Sequence, residues 1–360
     1  MTSTKEKFSF LQAGASQVDI TPKAGIQLSG GVGRRPAKIV KDPLYAKALV
    51  LECNGQKLCF VALDITIIAR EHTSAIRQAA AEKFGFKEDA VMVHALQIHS
   101  APSIGHFMLS EYFDIPEGFD WLRGGDKRYD SFAVERTIEA IKLANDSLQP
   151  VQVGVASGIE GRLAFNRRAI MRNGSVGMPW PWDFRSKPLG PTGIRYMEGP
   201  IDPELGVMSF QTDSLSIPAM LVNYTCHPVA VFGKDPFGHI VSADWPGALA
   251  NQLKKAYGKE SVPLILNGAC GNINPWNPFE PGNQNGMDHE YMGQVLAEMT
   301  ERVVEKMTFS NKAVLDYKVR HIKIPLREMP VEELENAQKV LEKNPEPIWT
   351  DDKKTRFDVT

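Results

Sequence analysis

What this 360-residue chain lacks narrows its function before any motif is read. Its four cysteines, Cys53, Cys59, Cys226 and Cys270, are too few for a disulfide scaffold, and no pair has the Cys-x-x-Cys spacing of a zinc knuckle. It has no excess of either charge: 41 Lys and Arg stand against 43 Asp and Glu, so no nucleic-acid partner is expected. No run approaches the ~20 apolar residues of a membrane-spanning helix. The first twenty residues hold no apolar core of a secretory signal, which points to a cytoplasmic chain; a secreted chain whose signal had been removed would read alike. There is no Gly-x-Ser-x-Gly elbow, so a serine hydrolase of the common α/β type is not expected. Gly30-Gly31-Val32-Gly33 lacks the Gly-Lys-Ser/Thr of a phosphate loop. No internal repeat or low-complexity tract is present.

What is present is the pattern of a packed α/β protein. Hydrophobic residues make up 43% and charged residues 23%, enough apolar material for a sizeable core. Apolar runs at 47–52 and 58–65 flank Asn54-Gly55 and predict a hairpin. Residues 71–84 read as a helix with Ile76, Ala80 and Phe84 on one face, stopped at Gly85. Further strands are expected at 91–96, 151–156, 218–224 and 262–267, and an exposed, alternating one at 313–326. Helices are expected at 130–148, with Val134, Ile138, Ile141 and Leu148 inward, from Asp244, at 288–307 and at 331–343. The order predicts a layered α/β sheet with helices on its faces. Residues 1–14 read as an N-terminal tail and 15–360 as one domain. Two long stretches rich in Gly, Pro and aromatics, 100–128 and 171–203, read as functional rims or packing loops. The second contains Met178-Pro179-Trp180-Pro181-Trp182.

Polar clusters fall just after the apolar strands, where α/β folds place ligands. They are Gln97-Ile98-His99-Ser100-Ala101-Pro102, Cys226-His227-Pro228, and Asn267 through Pro275; Asp64 closes one strand and Asp244 opens a helix. If the strand at 91–96 continues, Gln97 and His99 share a face and His94 turns into the core with Leu96. Histidines and carboxylates on such loops suit a zinc-like metal, and equally suit ordinary loop and core roles. Cys270 reads as a small buried hydrophobe or as a nucleophile beside a histidine.

At these residues the chain resembles the catalytic domain of the neutral/alkaline (non-lysosomal) ceramidases. The landmarks occur in order: Asp19-Ile20-Thr21-Pro22; Gly31-Val32-Gly33 before Asp42 through Ala48; Val61-Ala62-Leu63-Asp64; His99-Ser100-Ala101-Pro102; Asn166-Arg167-Arg168; His227-Pro228-Val229; Ser242-Ala243-Asp244; and Asn267–Pro275. The resemblance implies a ceramidase-like α/β catalytic domain and a zinc-activated water that cleaves an N-acyl bond. Carried over residue by residue, it makes His227 a metal ligand, His99 a catalytic or substrate-contacting histidine and Arg167 the substrate-side arginine. Gly31, Gly33, Gln97 and Asp64 are expected against the substrate, and Asp244 among the catalytic group. Two positions depart. Gln97 stands where the family has a zinc-binding histidine, and an amide oxygen is the poorer zinc ligand. Asn274 stands where the family has its proposed catalytic serine; it is no nucleophile, yet it can donate to an oxyanion. The family's glutamate and tyrosine ligands have no counterpart here, which suggests a domain truncated at its C-terminal end.

Three functions follow. The first is a divergent, metal-dependent hydrolase that cleaves an amide, ester or lactone in a small molecule. The second is a pseudoenzyme that kept the pocket as a ligand-binding site and lost the metal. The third is a carbohydrate-active enzyme, with Asp64 and Asp244 as acid and base and Trp180, Trp182, Trp245 and Trp276 stacking on sugars. The sequence leaves the oligomeric state open.

Overall fold

The computed structural model describes residues 11–31, 33–109, 114–115, 117–178, 193–234, 238–279, 288–343 and 352. The chain enters the fold at Leu11, which is buried, and β1 (Gln12–Asp19) begins inside the stretch expected to be a tail. After β2 (Ile39–Val40), β3 (Tyr45–Cys53) and β4 (Gln56–Leu63) form the expected hairpin through Asn54-Gly55. The helix α1 (Arg70–Phe84) then crosses over to β5 (Val91–Ala95), which runs parallel to β4. With α2 (Lys127–Asp146) and β6 (Gln149–Pro150) the first sheet is complete, in the order β5-β4-β3-β1-β6.

The second half builds a second sheet. It comprises β7 (Gln152–Ile159), β12 (Glu204–Gln211), β13 (Ala219–Tyr224) and β15 (Val262–Asn267), in the order β15-β13-β12-β7. Among the described residues, the short strands β8 (Phe165–Asn166), β9 (Ala169–Met171), β10 (Val176–Gly177) and β11 (Ile194–Met197) come between β7 and β12. The short α3 (Ala230–Lys234), β14 (Ile240–Val241) and α4 (Asp244–Tyr257) connect β13 to its parallel neighbour β15. The chain goes on through β16 (Ile273–Asn274), α5 (His289–Glu305) and α6 (Val331–Lys343).

The two sheets stack face to face, with helices outside both. Alternation along the strands decides this. Leu49, Leu51 and Ala62 of the first sheet pack on Phe210, Leu221 and Leu264 of the second. Their chain neighbours Ala48, Val50, Val61, Val222 and Ile265 point the other way, into the core under the helices. Strands covered on both faces read as continuous apolar runs, which is why the sequence made them conspicuous. On α2 the face toward the sheet is formed by Ala133, Thr137, Ala140 and Ala144, while Val134 and Ile138 are half-buried. The helix lies too close to β1 for large side chains: a Cβ on Gly14 would collide with the Ala144 carbonyl. Residues 313–326 were expected as a strand. They belong to no sheet, and Val314, Ile322, Ile324 and Leu326 stand in solvent; only Ser310 bridges to Val153 of β7.

Asp64 was expected to touch substrate. It lies wholly inside the protein. Its carboxylate accepts the Tyr45 N–H at 2.9 Å and sits 3.3 Å from the Lys47 ammonium, itself fully buried. Burial pushes the Asp64 carboxyl upward, and Lys47 and the Tyr45 N–H pull against it. This pair joins the end of β4 to β3, and a charge left alone there has no solvent to turn to. Asp64→Ala is expected to lower unfolding stability by about 3–5 kcal/mol. The double variant Lys47→Met/Asp64→Leu should recover most of that loss. Urea denaturation of both proteins measures it.

Candidate active site

The C-terminal ends of β5, β13 and β15 meet on one side of the sandwich. The Asn267 N–H donates to His94 Nε2 at 3.0 Å, and the Asn267 side chain donates to the Leu96 carbonyl and accepts from the Cys226 N–H. His94 is thus a half-buried clip between the two sheets rather than a core residue. The loops leaving these strands are joined further along. His99 N–H donates to the Pro228 carbonyl, and His227 N–H to the Ile273 carbonyl. The strand expected at 91–96 ends at Ala95, and Gln97 takes a left-handed φ of 62°, so alternation does not govern where Gln97 and His99 point.

His99 and His227 come together, with ring centroids 5.0 Å apart in a T-shaped arrangement. Each ring is held by its Nδ1. That of His99 lies 2.6 Å from the Gly30 carbonyl, and that of His227 lies 2.9 Å from the Cys270 carbonyl. A carbonyl only accepts, so both rings carry their proton on Nδ1 and keep a lone pair on Nε2. Burial is the main force depressing their proton affinity, His99 to about 3 and His227 to about 4, with positive neighbours adding to it. Both are neutral imidazoles at pH 7.

The glycine loop is the cradle of His99. Gly30 sits at φ 83°, and a Cβ there would lie 2.6 Å from the His99 Cα. The buried Gln27 amide holds the loop from beneath, donating to the Leu28 and Gly33 carbonyls and accepting the Arg35 N–H. Arg35 donates to the His99 carbonyl and lies 4.9 Å over the Phe232 ring, which in turn packs on His99. Gly31 faces Phe232 and Arg35, and Gly33 serves through its carbonyl. Sequence reasoning picked Gly31 and Gly33 and missed Gly30, Gln27 and Arg35; a glycine run upstream of a buried arginine was the available signal.

Arg167 lies near both histidines, where its positive charge adds to the depression of their proton affinity, and it holds Asn274. Pairing of β8 with β16 sets Asn166 opposite Ile273 and Phe165 opposite Asn274, the Arg167 N–H donates to the Asn272 carbonyl, and the Arg167 side chain reaches back to Asn274. Arg167 Nε donates to the Gly271 carbonyl at 3.0 Å and Nη1 to Asn274 Oδ1 at 3.5 Å. The guanidinium thereby orients the amide. Asn274 Nδ2 is left fully buried with no hydrogen-bond partner among the described residues. An orphaned buried donor is uncommon in a native protein.

Asp244 does not reach this group. It is fully buried, with a φ of 51°. It opens α4, as the sequence suggests. Its carboxylate does accept the Trp245 N–H, yet it also accepts the N–H groups of Ala230 and Val231 and so fixes the start of α3 beside His227. Gln97 Oε1 accepts from the Cys270 thiol, and Asn267 donates to the Cys270 sulfur. Burial raises the Cys270 thiol above its ordinary range, so it is protonated and serves as a link rather than a nucleophile. Thr66, His94, Gln97, Asn267 and Cys270 line a cavity of about 290 Å³. Of the tryptophans, Trp245 is in the core and Trp276 packs on Val229 and Phe232; Trp180 and Trp182 lie outside the described residues.

The donors do not fit zinc. Among the described residues no three His, Cys, Asp or Glu side chains are placed to hold a metal. Of the expected ligands, Gln97 is engaged by Cys270 and only His227 keeps a free donor nitrogen, with His99 beside it; the Asp244 carboxylate is taken up by backbone N–H groups. A catalytic zinc takes three protein ligands.

The two stacked sheets, their outer helices and this loop-built site define an α/β fold of the ceramidase type. The chain is similar to the neutral ceramidase from Pseudomonas aeruginosa, with a TM-score of 0.63 and 18% identity over 83% of this chain and 45% of that one. It is equally similar to a ceramidase complexed with C2, with a TM-score of 0.61 and 18% identity over 83% of this chain and 44% of that one. The chain therefore spans less than half the length of these structures. No protein-family model matches it, and no curated protein matches its sequence. Among the described residues no helix is long and apolar enough to cross a membrane.

The unfolded chain binds protons on His99 and His227 near 6.5, the folded chain only near 3 and 4. Their contribution to stability is complete above about pH 6.5 and is lost progressively as the pH falls toward 4. Melting temperatures measured from pH 7.5 to 4 should fall accordingly, and His227→Asn should flatten that fall.

Proposed function

We propose that the protein is a hydrolase that cleaves an amide, ester or lactone bond in a small molecule. The observation that carries this reading is Asn274 Nδ2, a buried donor without a partner among the described residues, next in the chain to Ile273, whose carbonyl accepts the His227 N–H, and so close to two neutral imidazoles with free Nε2 lone pairs. A tetrahedral oxyanion is the species such a donor suits. The substrate carbonyl oxygen lies against Asn274 Nδ2, whose orientation Arg167 fixes through Oδ1. A water donates its hydrogens to the two imidazoles. His99 Nε2 takes the proton as the water oxygen bonds to the carbonyl carbon. As the tetrahedral intermediate collapses, the bond to the leaving nitrogen or oxygen breaks and His99 returns the proton to it. Positive charge developing on the imidazole is offset by the oxyanion forming nearby. Gly30 and the Cys270 carbonyl keep both rings in the required tautomer. No step runs through a metal.

Asp64 and Asp244 give no support to glycoside cleavage, since both carboxylates are fully buried and engaged. A panel of short-chain N-acyl amides, esters and lactones should reveal turnover by the purified chain. On a substrate so found, Asn274→Ala is expected to lower kcat about 10²–10³-fold with KM little changed. His99→Gln should lower it about 10²–10⁴-fold. Unchanged turnover in both variants, or none on the whole panel, overturns the reading.

A further inference from the structure

We infer that the substrate carries a carboxylate, as an N-acylated amino acid or a similarly acylated small acid does, and that Arg167 grips it. This rests on the hydrolase reading of the site and narrows its substrate class. The argument begins with a charge imbalance. Arg167 is half-buried, and among the described residues no carboxylate lies within ion-pair distance of it. Its neighbours differ: Arg168 pairs with Glu198, and Arg162 with Glu160. The acidic residues nearest in the sequence landmarks are not available either, since Asp64 pairs with Lys47 and Asp244 accepts backbone N–H groups. The imidazoles beside the guanidinium are neutral and bring no negative charge.

A guanidinium removed from water is stabilised by a paired anion, and its planar fork matches a carboxylate better than any other common anion except phosphate. Arg167 uses Nε on the Gly271 carbonyl and Nη1 on Asn274. Its Nη2 has no protein acceptor among the described residues. The unpartnered Nδ2 belongs to the same Asn274 amide that accepts from Arg167 Nη1, so donors outnumber acceptors among the described groups there. One bound molecule matches both: its acyl carbonyl meets Asn274, and its carboxylate meets the Nη2 edge of Arg167. This separation of roles also explains why the arginine is tied at two points, which fixes the fork before the ligand arrives.

The test compares two probes that differ only in charge, N-acetylglycine and its neutral amide, N-acetylglycinamide. Binding of each to the purified chain is measured by ligand-observed NMR, with hydrolysis followed in parallel. The acid is expected to bind at least about tenfold tighter than the amide. Arg167→Gln should bring the ratio to near one, and Arg167→Lys should restore part of it, with circular dichroism showing both variants folded. Equal binding of the two probes, no binding of the acid at millimolar concentration, or a preference that survives Arg167→Gln in a folded protein overturns the inference. The hydrolase reading fails separately: a charge preference with no turnover on any acylated substrate removes the reaction and leaves the carboxylate site. Turnover of neutral substrates as fast as acidic ones removes the carboxylate and leaves the reaction.

Discussion

Asn267 is the residue on which the rest of the site depends. It ends β15, and its backbone and side chain reach four partners: the His94 ring, the Leu96 carbonyl, the Cys226 N–H and the Cys270 sulfur. Through them it joins the ends of strands from both sheets. The loops carrying Gln97 and His99, His227, and Asn274 all leave from those strand ends. A side-chain amide suits this position because it donates and accepts at once, so one half-buried residue can tie several strand ends together. Without that junction the two sheets would still share their apolar interface, but the three loops would be tied to one another only further along, by His99 to Pro228 and His227 to Ile273.

On this frame the site combines rigid scaffolding with groups left without partners. Gly30, Gln27 and Arg35 hold His99 from one side, and Asp244 holds the α3 turn next to His227. Carboxylates face inward as braces, and what faces the cleft is neutral or positive. The depressed proton affinities of the two histidines, the tethered guanidinium and the orphaned amide are parts of one electrostatic arrangement, suited to negative charge and unsuited to a divalent cation.

Elements set by local chemistry were legible in the sequence. The Asn54-Gly55 hairpin, α1 ending at Gly85 and the apolar strands β13 and β15 appear where periodicity and turn residues put them. Elements set by packing were not. β12 was missed because its buried residues are interleaved with Gly206 and Ser209. The inward face of α2 was legible in part: Ile141 is buried and Val134, Ile138 and Leu148 pack on the core, while the residues nearest β1 are alanines and Thr137, which a search for large hydrophobic residues passes over. In the site, the order of the landmarks carried His99, His227, Arg167 and Asn274 to one place. The same logic brought in Asp64 and Asp244 wrongly, since an acidic residue at a strand end reads alike whether it faces a ligand or braces a turn. Only the partners tell them apart, and those partners, Lys47 and the N–H groups of Ala230 and Val231, are fixed by tertiary structure.

The parallel pairings β4–β5 and β13–β15 each wait on a helical crossover, and the site draws on residues from Gly30 to Asn274. Such contacts close large loops and form late, because the chain entropy of each closure is lost before any contact rewards it. His99 follows a strand of the first sheet and His227 a strand of the second, so the imidazole pair exists only when the two sheets have met, and neither half of the chain carries it alone.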